Sequence, residues 1–469
     1  MIVLDTISPD TLHEAKAPKY RLVSDALRTD IDRGVLMPGQ QLPPVRDLAF
    51  QLGVTPGTIA RAYSVLTEAG YLTAGVGRGT FVADQTTRST KTSGFTPYVH
   101  PSDGAVVSLL SPRLPDVGQV AMMREGMVTL AEQFSDEAFL RYPSQLTEAA
   151  TVSAYAGQLQ NAPIGPFSEA DIVLSNGGQN GVVLIMQTVL TGAEPVVLVD
   201  ELAYSGFVRG AELCRAKVVG VPWDASGPDA VAFEALVREH GPQMFCTSAE
   251  ISNPLVRTTT SERRAEIARI AQYHGVHVLD DDCYRLRDHR GPSYRALIPD
   301  LGWHVASPSK SFSPALRIGF IVAPLGWAER LQRSASFASF AVSRFATDLY
   351  AFLAGHPDMR AVRDRLLEWM RRDVQTIVNS LGKYHVAWDP QVPFVWLDLP
   401  EGWRAGEFCQ AAEAAGVLLK SAEDFALRDS RRVHGVRLAL NGMLEGDQLV
   451  GALDALRELL DRPPQRISV

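Results

Sequence analysis

The sequence predicts an α/β protein with a small helical module at its N-terminus and a large domain built on a mostly parallel sheet. Within residues 20–82, two short helical patterns are joined by a glycine-containing turn. Residues 84–104 lack apolar periodicity and are rich in Thr, Ser, Pro and Gly, as linkers are. Beyond them, short apolar strands alternate with helical patterns, which is typical of a parallel sheet covered by helices.

Length and composition limit the function classes open to the chain. Its 469 residues suffice for two or three domains, and the net charge of −8 argues against an overall basic coat. The four cysteines show no metal-ligand spacing and suggest reduced thiols in a cytosolic protein. No stretch reaches a membrane-spanning length, and the N-terminus lacks a signal-peptide pattern. We therefore expect a cytoplasmic protein that binds nucleic acid, if at all, through a local patch.

The N-terminal module is predicted over residues 19–83, after a short arm at residues 1–18. An amphipathic helix begins near Tyr20, where apolar residues recur at helical spacing, and Gly34 ends it. A short helix, a tight glycine turn and a second helix that starts at Pro56 follow, which is the pattern of a helix-turn-helix. The pieces Y-L-T and G-T-F-V are then predicted to form a two-stranded wing.

Residues 20–82 resemble the winged helix-turn-helix of GntR-type regulators. The resemblance is carried by L-P-P-V-R-D-L-A, L-G-V-T-P-G-T-I-A-R-A-Y, L-x-x-A-G-Y-L and G-R-G-T-F-V. It implies binding to double-stranded DNA. Residues 19–83 hold seven Lys/Arg against five Asp/Glu, a small excess of positive charge on an acidic chain. A small helical docking domain is the alternative.

The predicted DNA contacts come from the two helices of the motif and from the tip of the wing. Arginines there can reach phosphates or guanine edges, and small residues lie at the start of the recognition helix. Pro56 stands where many GntR-type proteins have arginine, which removes one charged contact. The predicted DNA-contact residues are Arg46, Thr55, Gly57, Thr58, Arg61, Gly77 and Arg78.

The large domain is predicted over residues 105–469 and divides into two parts. From about residue 370 onward, a helix, strands near 392–399 and 435–440, and a last helix indicate a small α+β subdomain. The part before it supplies the mostly parallel sheet. Its predicted strands are 171–174, 195–199, 218–221, 244–247, 276–279, 304–306 and 318–322.

A lysine among small hydroxyl residues marks the candidate site of this domain. Lys310 lies in S-P-S-K-S-F-S-P-A-L-R-I-G-F, and Arg317 follows it by seven positions. An amine in a small, partly desolvated pocket beside another cation has a lowered pKa and can attack an aldehyde. Arginine offers a planar fork suited to a phosphate. An exposed Ser/Lys loop before a strand is the alternative.

This stretch resembles the lysine motif of fold-type I aminotransferases, S-x-S-K-x-x-x-P-x-L-R-x-G. The resemblance implies the cofactor pyridoxal 5′-phosphate, held as a Schiff base on Lys310, with Ser307, Ser309 and Arg317 at its phosphate. In family order, I-V-L-S-N-G-G-Q-N-G matches the phosphate-binding helix start. That match adds three residues, Gly177, Gly178 and Gln179. A plain glycine turn is the alternative for this segment.

Further cofactor contacts are implied by three short segments. L-V-D-E-L-A-Y resembles the E-x-P-x-Y pattern and makes Tyr204 the residue that stacks on the pyridine ring, unless it is a core tyrosine. V-H-V-L-D-D-D-C-Y assigns Asp281 to the ring nitrogen and Tyr284 to the phenolic oxygen, with Asp282 as the alternative acid. A metal site is the rival interpretation of three acids, but no histidine spacing supports it.

The remaining positions depart from the family pattern in part. A-E-I-S-N-P-L-V-R resembles the N-P-x-G loop and makes Asn253 a donor to the phenolic oxygen, with Val256 in place of glycine. G-V-R-L-A-L makes Arg437 the clamp for a ligand carboxylate, unless it is a solvent-facing strand arginine. Tyr142, in L-R-Y-P-S, is assigned to a neighbouring subunit's phosphate, although the G-x-x-x-L-R that follows in the family is absent.

A GntR-like module in front of an aminotransferase-like domain resembles the MocR family of transcriptional regulators. The resemblance implies a head-to-tail homodimer on two DNA half-sites that senses an amino compound by aldimine exchange at Lys310. It also implies that the aminotransferase fold works as a sensor rather than as an enzyme. The alternatives are a working aminotransferase with an accessory DNA module, and a regulator that senses the cofactor itself, in which Arg437 is idle.

Overall fold

A computed structural model describes residues 19–37, 39–68, 71–75, 79–82, 106–284, 289–427 and 433–464. The chain divides into two units, residues 1–100 and residues 101–469. The predicted arm, residues 1–18, and the predicted linker, residues 84–104, lie outside the described residues. Both therefore remain predictions.

The N-terminal unit contains the predicted helix-turn-helix and wing. Its apolar positions at helical spacing meet in one core, in which Leu27 and Ile59 are fully buried. The Tyr63 hydroxyl donates a hydrogen bond to the Pro43 carbonyl at 2.8 Å, which fixes the approach to the motif. The predicted module is confirmed. Its elements are α1 (Lys19–Asp32), α2 (Val45–Gln51), α3 (Pro56–Glu68), β1 (Leu72–Gly75) and β2 (Gly79–Val82).

The C-terminal unit alternates helices and strands, as predicted. Its helices up to the end of the large sheet are α4 (Gln119–Gln133), α5 (Asp136–Leu140), α6 (Gln145–Leu159), α7 (Gly178–Val189), α8 (Ser205–Leu213), α9 (Ala230–His240), α10 (Ser261–His274) and α11 (Tyr294–Leu297). Its strands over the same span are β3 (Val107–Ser108), β4 (Ile172–Ser175), β5 (Val196–Asp200), β6 (Lys217–Val221), β7 (Trp223–Asp224), β8 (Gly227–Pro228), β9 (Met244–Thr247), β10 (His277–Asp281), β11 (Gly302–Ala306) and β12 (Gly319–Val322).

The large sheet has seven strands in the order β4-β12-β11-β10-β9-β5-β6. Strands β6, β5, β9, β10 and β11 pair in parallel, whereas β12 runs antiparallel to both β11 and β4. The strands are almost continuously buried, as expected for a sheet with helices on both faces. The predicted mostly parallel sheet is confirmed, with strand ends displaced by one or two residues.

The last part of the chain forms the predicted α+β subdomain. A four-stranded antiparallel sheet, in the order β13-β14-β17-β16, packs against long helices around the buried Trp396 and Phe408. None of the described helices is both long and apolar enough to cross a lipid bilayer. The elements that follow the large sheet are α12 (Ala328–Ser339) and α13 (Arg344–Ala354), which pack on the large domain, and then α14 (Met359–Leu381), β13 (Val386–Ala387), β14 (Phe394–Asp398), α15 (Ala405–Ala414), β15 (Val417–Leu418), β16 (Lys420–Ser421), β17 (Gly435–Ala439) and α16 (Gly446–Asp461).

Candidate functional site

The candidate site lies at one edge of the large sheet, where the carboxyl ends of the parallel strands meet. At this edge, Gly177, Tyr204, Asn253 and Lys310 lie in the loops that leave β4, β5, β9 and β11, and Asp281 is the last residue of β10. Ligands of open α/β sheets bind outside the carboxyl ends of the strands. Five segments that are far apart in sequence are therefore brought to one side of the sheet.

Lys310 is half-buried in the loop between β11 and β12, and its amine lies among cations. Burial, with smaller effects from Arg437, Arg317 and Lys420, lowers the pKa of Lys310 to about 8. Desolvation disfavours the charged form of an amine, and neighbouring positive charges do the same. The lysine is thus closer to the neutral, nucleophilic form near neutral pH than a surface lysine is.

The glycines at the start of α7 let the side chains of Arg317 and Cys283 approach the backbone closely. A Cβ placed on Gly177 would lie 2.5 Å from the Nη2 atom of Arg317, and one on Gly178 would lie 2.7 Å from the sulfur of Cys283. The Arg317 guanidinium donates to the Asn176 carbonyl at 3.1 Å. Backbone N–H groups at a helix start, glycines without side chains and an arginine fork form a cradle of the kind that holds phosphate.

Backbone geometry at this cradle is unusual. Arg317 adopts φ +49°, a left-handed conformation that residues other than glycine seldom have, immediately after a short 3-10 helix. The Ser307 hydroxyl donates to the Ile318 carbonyl at 2.8 Å and lies 2.9 Å from the Ser309 hydroxyl. The two serines therefore tie the start of the lysine loop to its end, which places Lys310 and Arg317 in one rigid segment.

Gln179 and Tyr204, which were predicted separately, are joined by a hydrogen bond. The Tyr204 hydroxyl donates to Oε1 of Gln179 at 2.5 Å, and the Gln179 amide donates to the Gly206 carbonyl at 3.2 Å. The tyrosine ring is half-buried and meets Phe207 edge-on at 5.7 Å. This hydrogen bond holds the ring in a fixed position next to the start of α7.

The three consecutive aspartates at the end of β10 have three different environments. Asp280 accepts a hydrogen bond from the Ala249 N–H, and Asp282 lies 3.1 Å from the ring of His289. Asp281 is half-buried and accepts from the Cys283 N–H at 3.0 Å, and burial raises its pKa. Asp281 contacts Cys283, whose sulfur lies beside Gly178, so Asp281 adjoins the glycine cradle. A cation placed against it would offset the cost of burying its charge.

No set of three or more His, Cys, Asp or Glu side chains within the described ranges is arranged to hold a metal ion. The acids of the β10 end do not converge because successive side chains of a strand point to opposite faces of the sheet.

The loop that carries Asn253 has no glycine, yet one of its residues adopts the left-handed backbone conformation that glycine allows. Val256 adopts φ +57° and donates its N–H to the Ser252 carbonyl at 2.9 Å, while the peptide bond between Asn253 and Pro254 is cis. A β-branched residue in the left-handed region is strained. The surrounding loop therefore imposes this conformation on Val256.

Arg437 is buried in the middle of β17 rather than exposed to solvent. It donates from Nη1 to the Asn253 side-chain oxygen at 2.7 Å and from Nη2 to the Leu110 carbonyl at 2.6 Å. Its guanidinium also lies 5.3 Å from the ring of Phe394, which packs edge-on against Tyr284 at 5.0 Å. The structure thus brings together Asn253, Tyr284 and Arg437 at the end of the site away from the glycine cradle.

Tyr142 is not part of this buried cluster. Its ring is 78% exposed and stacks on Phe340 at 5.1 Å. Nearby, the rings of Phe134, Phe139 and Phe345 contact one another, and the last two are more than half exposed. We call these five aromatic residues the aromatic patch. Patches of this kind on soluble proteins mark interaction surfaces.

Three residues of the site were not predicted from the sequence. Asn176 accepts from Arg317, Cys283 contacts both Asp281 and the Gly178 position, and Lys420 lies opposite Arg437 in the small sheet. The first two directly adjoin motif residues, so their neighbours could have suggested them. Lys420 lies far along the chain from the lysine motif and has no sequence signal.

The predicted DNA-contact residues of the N-terminal unit lie on its surface. Arg46, Thr55, Gly57 and Arg61 are exposed and Thr58 is half-buried, with the Thr55 and Thr58 hydroxyls 2.9 Å apart. The Arg61 guanidinium lies 4.2 Å from the centre of the Tyr20 ring. The predicted wing-tip residues, Gly77 and Arg78, are outside the described residues.

Comparison with known families covers both units. Residues 19–82 match the bacterial regulatory proteins of the gntR family, and residues 116–434 match the family of class I and II aminotransferases. Over 452 residues the chain is 24% identical to YdeF, an uncharacterised HTH-type transcriptional regulator of Bacillus subtilis (strain 168), and covers 96% of both chains.

Two further comparisons concern a regulator and a solved structure. The chain is 25% identical over 359 residues to MocR of Rhizobium meliloti, a protein described as a probable rhizopine catabolism regulatory protein, and the match covers 72% of this chain and 70% of that one. The crystal structure of an archaeal alanine:glyoxylate aminotransferase superposes with a TM-score of 0.67 at 19% identity, over 76% of this chain and 91% of the other. That likeness shows the fold.

Proposed function

The chain belongs to the family of class I and II aminotransferases, in the arrangement of MocR-type GntR regulators, and from this premise we propose that it is a transcriptional regulator. Its N-terminal unit binds promoter DNA, and its C-terminal unit senses an amino compound at Lys310. Action on DNA places the protein in the cytoplasm. The observation that carries the proposal is Lys310 itself, a half-buried amine with a pKa of about 8 between an anion cradle and Arg437.

The cofactor of this site is pyridoxal 5′-phosphate, and the residues present fit it. The glycine cradle with Arg317 suits its phosphate, since any side chain at Gly177 would displace the guanidinium. Ser307 and Ser309 hold the loop that carries both Lys310 and Arg317. When bound, the cofactor supplies an aldehyde that amines attack and a ring that withdraws electrons.

The remaining residues of the chain orient the ring and its substituents. Asp281 provides a carboxylate for the ring nitrogen, and the Tyr204 ring is held by Gln179 beside the cradle. Asn253 and Tyr284 reach the phenolic oxygen from the opposite end. Arg437 binds an acidic group of the effector from the same end. Lys310, whose lowered pKa favours the neutral amine, would hold the cofactor aldehyde, and an effector amine would compete with it for that aldehyde.

DNA binding rests on the exposed residues of the helix-turn-helix. Arg46 and Arg61 are on the surface of α2 and α3, and Thr55, Gly57 and Thr58 lie at the start of α3, where a recognition helix contacts its groove. Gly77 and Arg78 belong to the same proposed contact surface. Seven basic residues against five acidic ones make residues 19–83 the more basic part of the chain.

A homodimer is part of the proposal, and the aromatic patch supports it. Exposed Tyr142, Phe139 and Phe345 form an apolar surface on the unit that carries the site. In a head-to-tail pair, Tyr142 reaches the phosphate end of the neighbouring subunit. The two helix-turn-helix modules of the pair then bind two half-sites on DNA.

A second function, catalysis of transamination, is favoured by one observation. The loop of Asn253 adopts at Val256 the left-handed conformation that glycine would allow, and Asn253 contacts Arg437 in spite of the missing glycine. Incubation with paired amino donors and 2-oxoacids separates the two functions. Sustained multiple turnover at ordinary enzymatic rates would support the enzyme, whereas a single half-reaction at most agrees with a sensor.

The test of the sensor uses Lys310→Ala, which removes the amine and leaves the cradle in place. We expect this variant to fold and to bind operator DNA in a gel-shift assay, because α1, α2 and α3 pack on their own core. In a reporter assay it should not respond to the effector. Lys383→Ala, which removes an exposed lysine paired with Asp461, is the control and should respond normally. A full effector response in Lys310→Ala would exclude covalent sensing.

A further inference from the structure

Two cations face each other across the small sheet at the effector end of the site. Lys420 of β16 pairs directly with Arg437 of β17 in antiparallel register. Directly opposite residues have Cβ atoms about 4.5–5.5 Å apart on the same face of a sheet, and like charges at such positions destabilise it. Both cations lie over the Phe425 ring, Arg437 at 4.9 Å and Lys420 at 5.7 Å from its centre.

The surroundings of Lys420 leave its charge poorly balanced. Burial and the charges of Arg437 and Arg209 lower the pKa of Lys420, and Asp424 is the acid that opposes them. Asp424 is exposed, and its Oδ2 atom already accepts from the Ser421 N–H at 2.9 Å. Within the described part of the chain, the ammonium of Lys420 makes no hydrogen bond or salt bridge to a protein group.

Lys420 belongs to the pocket of Lys310 and not to a separate surface. It is among the cations that lower the pKa of Lys310. The Phe425 carbonyl also accepts from the Ala203 N–H at 3.0 Å, which ties this segment to the chain just before Tyr204. A ligand that is anchored at Lys310 and clamped by Arg437 therefore extends toward Lys420.

We propose that Lys420 and Arg437 together bind two acidic groups of the effector, which is accordingly an amino compound with two acidic functions, such as a dicarboxylic or phosphorylated amino acid. This inference rests on the proposed function. A single carboxylate matches the guanidinium of Arg437 alone. The second anionic group relieves the repulsion between the two cations and supplies the acceptor for the half-buried ammonium of Lys420.

The test compares acidic amino acids with their neutral isosteres. Protein loaded with pyridoxal phosphate is titrated with L-glutamate and L-glutamine, L-aspartate and L-asparagine, and O-phosphoserine and serine, and the shift of the cofactor's visible absorption band reports binding. We expect at least one acidic member to bind about tenfold or more tightly than its neutral partner. In Lys420→Gln that preference should vanish, while the affinity for the neutral partner changes little.

Two further variants serve as controls for this test. Lys420→Arg keeps a cation at this position and should retain the acidic preference, whereas Lys383→Gln removes an exposed lysine elsewhere and should leave every affinity unchanged. Equal affinity for acidic and neutral partners in the native protein overturns the inference. So does an acidic preference that survives in Lys420→Gln.

Calorimetric binding of two compounds that lack an amine separates this inference from the proposed function. Glutarate and glutaramate carry no amine, so neither can react at the cofactor, but they differ by one negative charge. Tighter binding of glutarate than of glutaramate in the native protein, lost in Lys420→Gln, supports the two-anion site even if no amine shifts the absorption band. The opposite result is also possible: amines shift the absorption band, but glutarate binds no more tightly than glutaramate and acidic amino acids bind no more tightly than neutral ones. That result supports the sensor and overturns the two-anion site.

Discussion

The DNA-contact surface of the N-terminal unit and the cofactor site of the C-terminal unit are built in opposite ways. The first consists of exposed side chains within one short segment, supported by a core that does not involve them. The second consists of partly buried groups from loops after separate strands, in which each group positions another. Substitutions should therefore act locally and moderately on the DNA surface, and strongly on the cofactor site.

The largest effect is expected from Gly177→Ala. A methyl group there would lie 2.5 Å from the Arg317 guanidinium, so the arginine must leave the cradle. Affinity for pyridoxal phosphate should fall by about 100-fold or more, as expected for loss of a charge-assisted contact in a strained position. Absorption titration of the cofactor-free protein measures it.

Gly192→Ala is the matched control for that change. Gly192 has φ +86°, close to the φ +92° of Gly177, but nothing lies within 4 Å of the added methyl group. Both variants strain a backbone of positive φ, Gly177→Ala more so because its ψ of 163° lies in a region open essentially to glycine alone, and only Gly177→Ala should lose the cofactor. Equal cofactor affinity in the two variants would contradict the assignment of Gly177 and Arg317 to the phosphate-binding cradle.

The next effect is expected from Arg437→Gln at the opposite end of the site. Loss of the buried guanidinium should weaken effector binding by about tenfold to a hundredfold, and cofactor affinity to a smaller extent because Asn253 loses the hydrogen bond that holds it. Titration of the loaded protein with the effector gives both values. Arg404→Gln, at an exposed position, is the control and should change neither. Parallel loss of cofactor and effector would show that the two ends are not independent.

A smaller effect is expected on the DNA surface. Arg61→Ala and Arg46→Ala should each weaken operator binding by about 1 kcal/mol for a phosphate contact and up to about 3 kcal/mol for a contact to a base edge. Gel-shift titration at fixed salt measures the loss. Arg28→Ala removes an exposed arginine of α1 that is paired with Asp25, and should leave affinity unchanged. Normal binding by both motif variants would exclude this docking surface.

The smallest effect concerns pH. Because the pKa of Lys310 is lowered to about 8, half of the amine is neutral near that pH, and the neutral fraction continues to grow as pH rises further. The rate at which the cofactor-free protein captures pyridoxal phosphate should rise with pH through a midpoint near 8 and level off at higher pH. Lys420→Gln removes a neighbouring cation, so the midpoint should move to higher pH. A midpoint that moves lower would contradict the assigned electrostatics.

The same contrast explains what the sequence could predict. The helix-turn-helix and the strands around the lysine loop are local patterns, so the bounds of these helices and strands were predicted within a residue or two. The mostly parallel sheet was also predicted, because buried strands read as apolar runs between helices. Gly177 and Arg317 lie close together in the structure, as expected from the resemblance, which assigned both to the cofactor phosphate.

What could not be predicted depends on pairing between distant strands. Lys420 acquires its importance only because β16 lies beside β17, and the register of two short strands cannot be derived from one sequence. The hydrogen bond from Arg437 to Asn253 spans two segments in the same way. Similarly, the three aspartates of β10 differ because of groups that approach from other loops, such as His289 and Ala249.

Val256, with φ +57°, affects the conformational entropy of the unfolded chain as well as the shape of the folded loop. Valine visits fewer backbone conformations than glycine when the chain is unfolded, so ordering this loop loses less entropy, by about 0.4–1 kcal/mol. The left-handed conformation costs about 1–2 kcal/mol in the folded state, and the half-buried methyl groups of Val256 recover part of it. These contributions nearly cancel. Val256→Gly should therefore leave the free energy of unfolding almost unchanged, while the loop becomes free to sample other shapes.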